Sequence, residues 1–276
     1  MNPINQTIQL ANDIRMPVLG FGTWHLKDGE IAYQAVLHAL KCGFRHIDTA
    51  IVYQNEASVG RAIRDSGVPR DELFITGKQP PHIKHEKGVV RMFERSLKNL
   101  GIEYFDLYII NAPRPFGETE GDYFEENVTA YKALEQLYRD ERVCAIGVSN
   151  FTERDLDNIL SNCDIVPHVN QIGYFAGKTD DALVTYCNDK NIALQAYSPL
   201  GNGYLLPNPV VQQIAAENDM TPAQVCLAYV VQKGLAPITK ASSIEHITSN
   251  AQVNQKLTSQ QLSMLDALDE DPRVFD

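Results

Sequence analysis

The sequence predicts an α/β fold, a (β/α)8 TIM barrel spanning residues 1–276 as one domain, with an N-terminal β-hairpin as a cap. Three observations predict it. Short apolar runs of strand length recur along the chain, separated by segments long enough for helices. Eight such units follow one another with no linker-like stretch between them, which favours a closed barrel over a doubly wound open sheet. Three of the runs also end on a polar residue: Phe44-Arg45-His46-Ile47 leads into Asp48, Leu73-Phe74-Ile75-Thr76-Gly77 into Lys78, and Leu107-Tyr108-Ile109-Ile110 into Asn111. A barrel of parallel strands gathers such ends on one rim and builds its site there.

In chain order, residues 7–17 alternate and turn at Asn12-Asp13, a small hairpin placed to close the barrel bottom. The first barrel strand is expected near 18–21 with helix 30–42, the second at 44–48 with helix 55–66, and the third at 73–77 with helix 84–99. The fourth covers 105–110 with helix 124–139, the fifth 143–148 with helix 152–160, and the sixth 168–172 with helix 179–190. The seventh, 192–197, precedes a Gly/Pro-rich loop and helices near 209–218 and 222–233. The eighth, 236–239, leads to helix 243–250, and an amphipathic helix at 258–268 comes last. An open nucleotide-binding sheet would carry a three-glycine fingerprint opening a helix. Gly20-Phe21-Gly22 and Gly201-Asn202-Gly203 each supply two glycines, but His25 and Leu206 hold the third position. Both pairs are expected to be turns.

Composition narrows the function classes. Hydrophobic content of 44% and charged content of 21% suit a soluble globular protein. The 24 basic and 35 acidic residues give a net charge of −11, which argues against nucleic acid or an anionic membrane as partner. No apolar run approaches a membrane span, and Met1-Asn2-Pro3-Ile4-Asn5-Gln6 has no charged-then-apolar signal region, so a cytoplasmic location is expected. Five scattered cysteines, 42, 144, 163, 187 and 226, read as reduced packing residues. His82 and His85 lack carboxylate or thiol companions, so no metal site is expected.

The chemistry gathers around Tyr53, five residues past Asp48. A phenol donates a proton to a substrate oxygen near working pH only if its pKa of about 10 is brought down. A nearby ammonium favours phenolate, and a carboxylate can hold that ammonium in place. Taken singly, Asp48 could cap a turn, Tyr53 could be a loop aromatic and Lys78 a solvated rim residue. On adjacent strand ends, the three together point to an acid and its tuning groups.

These segments resemble the aldo-keto reductases from about residue 7 to the end. The matching motifs are Gly20-Phe21-Gly22-Thr23-Trp24, Gly43-Phe44-Arg45-His46-Ile47-Asp48-Thr49-Ala50 with Tyr53, and Phe74-Ile75-Thr76-Gly77-Lys78. Gly147-Val148-Ser149-Asn150-Phe151, Asn170-Gln171 and Ala196-Tyr197-Ser198-Pro199-Leu200-Gly201 follow in the same order. The resemblance implies reduction of aldehydes and ketones by hydride from NAD(P)H, with Tyr53 as acid and Lys78 and Asp48 as its tuners. It implies that Ser149, Asn150 and Gln171 hold the nicotinamide carboxamide and that Tyr197 stacks on its ring, with Ser198 and Leu200 beside it. Trp24 and Asn111 would contact a small carbonyl substrate, and Phe116 and Tyr123 of the 113–124 loop would add a further wall. A monomer is expected.

The chain departs from the family pattern in two places. Asn111 stands where the family usually has His; an amide can donate a hydrogen bond to the substrate oxygen but cannot titrate near pH 7. In the cofactor-phosphate segment, Lys240, Ser242, Ser243 and Asn250 would hold the phosphate end together with His246, but Ala241 and His246 stand where NADPH-preferring relatives have Ser and Arg. NADPH is the first choice, with NADH as the alternative. Gln79-Pro80-Pro81 and Gly173-Tyr174-Phe175-Ala176 also depart from the common wording, and no long C-terminal lid is expected from the segment after Asp271. The competing function class is a nicotinamide-binding barrel with little or no turnover, acting in sensing or interaction.

Overall fold

Eight strands pair in parallel, each with its neighbour in sequence, and the last pairs with the first. They are β3 (Gly20–Gly22), β4 (His46–Asp48), β5 (Phe74–Gln79), β6 (Phe105–Ile110), β7 (Val143–Ser149), β8 (Val169–Gly173), β9 (Ala193–Tyr197) and β10 (Ala236–Thr239). The computed structural model describes residues 2–118, 120–253 and 256–269. Ahead of the barrel, β1 (Thr7–Gln9) and β2 (Arg15–Pro17) form the expected antiparallel hairpin. Six helices alternate with the strands from β3 to β9: α1 (Glu30–Lys41), α2 (Glu56–Asp65), α3 (Glu86–Leu100), α4 (Phe124–Arg139), α5 (Glu153–Asn162) and α6 (Asp181–Asp189). α7 (Pro209–Glu217) and α8 (Pro222–Gln232) lie between β9 and β10, and α9 (Ile244–Asn250) and α10 (Ser259–Asp266) follow. The segment 271–276, on which the expected lack of a lid rested, lies outside the described residues.

The helices start where local chemistry satisfies their first N–H groups. Thr152, Thr221 and Thr258 each accept a bond from the third helical residue, whose side chain bonds back, closing a capping box on α5, α8 and α10. At the other end of α3, Gly101 takes φ 68°, a left-handed stop that suits glycine. No helix among the described residues is long and apolar enough to cross a membrane.

Strand pleating divides the core in two. One face of the strands packs outward against the helices through residues such as Ile47, Ile75, Tyr108, Ile146 and Leu194. The alternate positions point to the barrel axis, where Phe74, Leu107, Ile109, Ala145, Val169 and Ala236 form a smaller cluster. Leu10 and Met16 of the hairpin join this inner cluster, so the hairpin plugs the N-terminal end of the barrel.

One sequence expectation is corrected. Gly20-Phe21-Gly22 is a strand, not a turn, and its glycines belong to the barrel interior. A Cβ on Gly20 would stand 2.4 Å from Ile238 Cδ1 and 3.0 Å from His46 Nδ1, so the crowded axis requires glycine there. The second pair, Gly201-Asn202-Gly203, is the expected turn, one turn of 3-10 helix.

Candidate active site

The inner face carries the site by simple parity. Each strand places every second side chain on the axis, so Phe74 and Thr76 put Lys78 there, Leu107 and Ile109 put Asn111 there, and His46 puts Asp48 there. The same count brings Ser149, Gln171 and Tyr197 to the C-terminal rim from β7, β8 and β9. Tyr53 arrives from the β4–α2 connection, on a single 3-10 turn over Ile51–Tyr53.

Asp48, Tyr53 and Lys78 meet. Lys78 Nζ donates to Asp48 Oδ1 at 2.6 Å and to the Tyr53 hydroxyl oxygen at 2.9 Å. The side chains of Lys78 and Asp48 are each 3% exposed, a buried ion pair whose desolvation demands good geometry. Asp48 receives a second bond on Oδ2 from Gln171 Nε2 at 2.8 Å. Burial alone would lower the Lys78 pKa, but Asp48 and Tyr53 reverse it, and the ammonium is held well above its ordinary value.

The phenol behaves differently from the sequence expectation. Burial raises the Tyr53 pKa, the Lys78 charge opposes this, and the net shift is upward. Lys78 pulls the phenol down as expected, but desolvation outweighs the ammonium and the net shift is upward. Because an ammonium only donates, the Tyr53 oxygen accepts from Lys78, which leaves its own O–H to point elsewhere.

Gln171 is oriented by its partners. Its Nε2 bonds both Asp48 and Gln195 Oε1, the latter at 2.7 Å, so both N–H groups are used and only Oε1 can accept from a ligand. Gln195 in turn donates to Met16 Sδ at 3.0 Å, linking the site to the hairpin plug. Asn150 is also held by protein. Its Nδ2 donates to Asn111 O at 3.0 Å and Ser149 Oγ at 3.1 Å, and its Oδ1 accepts from the Tyr197 hydroxyl at 2.7 Å. Asn111 itself is 6% exposed, and its side-chain amide makes no hydrogen bond among the described residues. A nearly buried, unpartnered amide on the inner face is a ready contact for a ligand.

The cofactor-phosphate candidates lie on the segment after β10. Lys240, Ser242 and His246 are exposed, while the Ser243 side chain accepts from His246 N and caps α9. Their cation and hydroxyls suit an anionic group. Asn250 is buried and braces α9 to β10 through Thr239 Oγ1 at 3.1 Å. Ser198 bonds Asn202 at 2.9 Å, and Leu200 packs on the core. Trp24, 45% exposed, stacks on His25, and Phe116 is 64% exposed on the 113–124 loop. His82 and His85 are exposed, and no group of three or more metal-ligating side chains exists among the described residues.

Sequence reasoning missed the braces. Asn55, buried two residues past Tyr53, donates to Thr23 O at 2.8 Å and Leu26 O at 2.9 Å, fixing the Trp24 loop to the Tyr53 turn. Its place directly before α2 was the available signal. Thr23 Oγ1 donates to Thr49 Oγ1 at 2.9 Å across β3 and β4.

The closed barrel gathers these polar side chains on its C-terminal rim, the end at which (β/α)8 enzymes build their active sites. Residues 18–270 match the model of the aldo/keto reductase family, and the chain belongs to that family. It is 39% identical to the 9,11-endoperoxide prostaglandin H2 reductase of Trypanosoma cruzi, over 99% of this chain and 95% of that one. It is 38% identical to the glyoxal reductase of Bacillus subtilis, over 98% and 95%. A solved Bombyx mori aldo-keto reductase in complex with NADP superposes with a TM-score of 0.88 at 31% identity, covering 98% of this chain and 94% of that one. The protein is an oxidoreductase that reduces aldehydes or ketones with a nicotinamide cofactor.

Proposed function

We propose that Tyr53 is the proton donor of this reductase, with Lys78 and Asp48 holding it, and that NADPH is the preferred cofactor. The carrying observation is the bond from Lys78 Nζ to the Tyr53 oxygen at 2.9 Å, which leaves the phenolic proton free for a substrate oxygen. The bound nicotinamide supplies the hydride that reaches the carbonyl carbon. Tyr53 keeps its proton until the substrate oxygen gains negative charge and becomes the stronger base. The proton then passes to that oxygen, and the phenolate left behind is stabilised by the ammonium already in contact. Asp48 fixes that ammonium, and Gln171 fixes Asp48. Asn111 donates one amide N–H to the same substrate oxygen and orients it.

Toward the cofactor, Gln171 Oε1 accepts from the carboxamide, Tyr197 packs the ring, and Ser149 and Asn150 frame that end of the rim. Lys240, Ser242 and His246 hold the ribose phosphate. The preference for NADPH rests on this cation and hydroxyl cluster and on the NADP-bound likeness from Bombyx mori. His246 gives at most one charged donor where an Arg fork would give two, so the preference over NADH is narrow. The exposed Trp24 and Phe116 suit a loose pocket, and short dicarbonyls are the first substrates to assay, given the Bacillus subtilis relative.

Tyr53→Phe tests the assignment. Loss of a positioned acid costs typically 10²–10⁴-fold, so kcat should fall by about that range while the Kd for NADPH stays within about twofold. A Phe variant that turns over as fast as the parent would remove Tyr53 from the mechanism. With all three parts in contact, no observation favours a barrel without turnover.

A further inference from the structure

Lys84 lies in the β5–α3 connection, six residues past Lys78, and only 8% of it is exposed. Its ammonium makes no ion pair within the described residues. It donates instead to Ala112 O at 3.0 Å, Pro113 O at 3.2 Å and Asn127 Oδ1 at 2.5 Å. The first two acceptors are the residues directly after Asn111, where the 113–124 loop begins, and the third sits on α4. Lys84 is anchored at its own base, because Gln79 Nε2 at the end of β5 donates to Ile83 O at 2.8 Å. Asn111 is held on the barrel side by its N–H to Gln79 O at 3.0 Å and by Asn150 Nδ2 on its carbonyl. The mouth between β5 and β6 is thus closed by one buried cation pulling on the backbone next to Asn111.

We infer that Lys84 is a positioning residue for carbonyl substrates, its ammonium clamping residues 112–113 so that Asn111 and the start of the 113–124 loop stand where the substrate oxygen needs them. The inference rests on the proposed roles of Tyr53 and Asn111. A neutral amine has two N–H groups for three acceptors and no charge to draw them in, so the clamp depends on protonation. Burial pushes the Lys84 pKa down to about 8, against the fields of Glu126 on α4 and Asp155 on α5. Asp155 is itself taken by the Thr152 capping box, and the neighbouring His85 caps α3 through Gly88 N, so neither replaces the clamp. The protein therefore carries a substrate-side group that titrates just above neutrality.

The test is the KM for one good aldehyde and the Kd for NADPH, measured from about pH 6.5 to pH 9.5 across the titration of this lysine. In the parent, KM should rise about tenfold or more through pH 8, the worth of a bond to a charged group, while cofactor affinity shows no matching change. Lys84→Met should raise KM at pH 7 and abolish the limb. Lys84→Arg stays charged throughout and should return KM towards the parent value with a flat profile. A parent that turns over with a flat KM overturns the inference alone, as does a Met variant with the parent's KM and limb. If the Met variant does not fold, the parent and Arg profiles decide, and a limb unmoved in Lys84→Arg overturns the clamp. A parent that binds NADPH but reduces no carbonyl overturns the functional reading, and this one with it.

Discussion

At the scale of the residue, Asn111 is the informative position. Its nearly buried amide spends no hydrogen bond on the protein among the described residues, yet its backbone is gripped by Gln79 and Asn150. Such a side chain is costly unless a ligand satisfies it. Asn111→His restores a ring nitrogen that can donate to the substrate oxygen and titrate. A full oxyanion contact is worth roughly 2.7–4 kcal/mol, but in the proposed role Asn111 would already supply part of one, so a rise in kcat/KM of about tenfold is expected. Equal or lower activity, with unchanged affinity for NADPH, would mean that the amide is fitted to its own substrate. Asp48, Lys78 and Asn111 were legible because a polar residue closing an apolar strand has few reasons to be there. The upward shift of Tyr53 was not legible, since it depends on how the fold surrounds a half-buried phenol. Gln195 and Lys84 were hidden for a related reason: their partners lie far away in sequence, and only the closed fold brings them together.

At the scale of the element, the helices hold the barrel at fixed spacing, and α2 against α3 shows how tightly. A Cβ built on Gly60 would stand 1.9 Å from the Leu100 carbonyl oxygen, a backbone atom that no rotamer can move. Nearby, the buried Glu56 carboxylate at the start of α2 reaches Asn99 at 2.9 Å and Ser96, and burial raises its pKa. Gly→Ala inside an ordinary exposed helix gains about 1 kcal/mol. Here the sign reverses: Gly60→Ala should cost about 1–3 kcal/mol through overpacking, read as a lower urea midpoint with an unchanged slope. A stabilised Gly60→Ala would show that the two helices part freely. The order and type of the elements were legible, because periodicity and caps are local. β3 was harder. Its two glycines carry no strand signal of their own, and the reason for them is Ile238 on the last strand, which only closure of the barrel brings alongside.

At the scale of the whole molecule, acid stability is a contest between buried groups of opposite sign. Burial lowers the pKa of His46 and His168 and raises that of Glu56 and Asp106. For the carboxylates the folded state binds protons first, so acidification relieves a cost. For the histidines the unfolded state binds first, so their stabilising contribution is present above the unfolded pKa of 6.5 and lost as pH falls through the folded value. His46 has the larger leverage. It is fully buried on the barrel axis, bonded to Thr76 Oγ1 at 3.0 Å, and its pKa is lowered to about 4. Between pH 7 and pH 4.5 this one group should remove about 2 kcal/mol of folding stability. Replacing it by a side chain that keeps a polar contact to Thr76 but cannot titrate isolates that share. His46→Gln should start less stable at pH 7, because the ring's packing against Phe74 is lost, yet decline less on acidification. The measurement is the urea midpoint of both proteins at the two pH values. A steeper loss in the parent, by about 2 kcal/mol, would place the acid limb on His46. Parallel losses would mean that His46 charges without unfolding the barrel, and that the axis beneath Asp48 and Lys78 admits water or a counter-charge in acid.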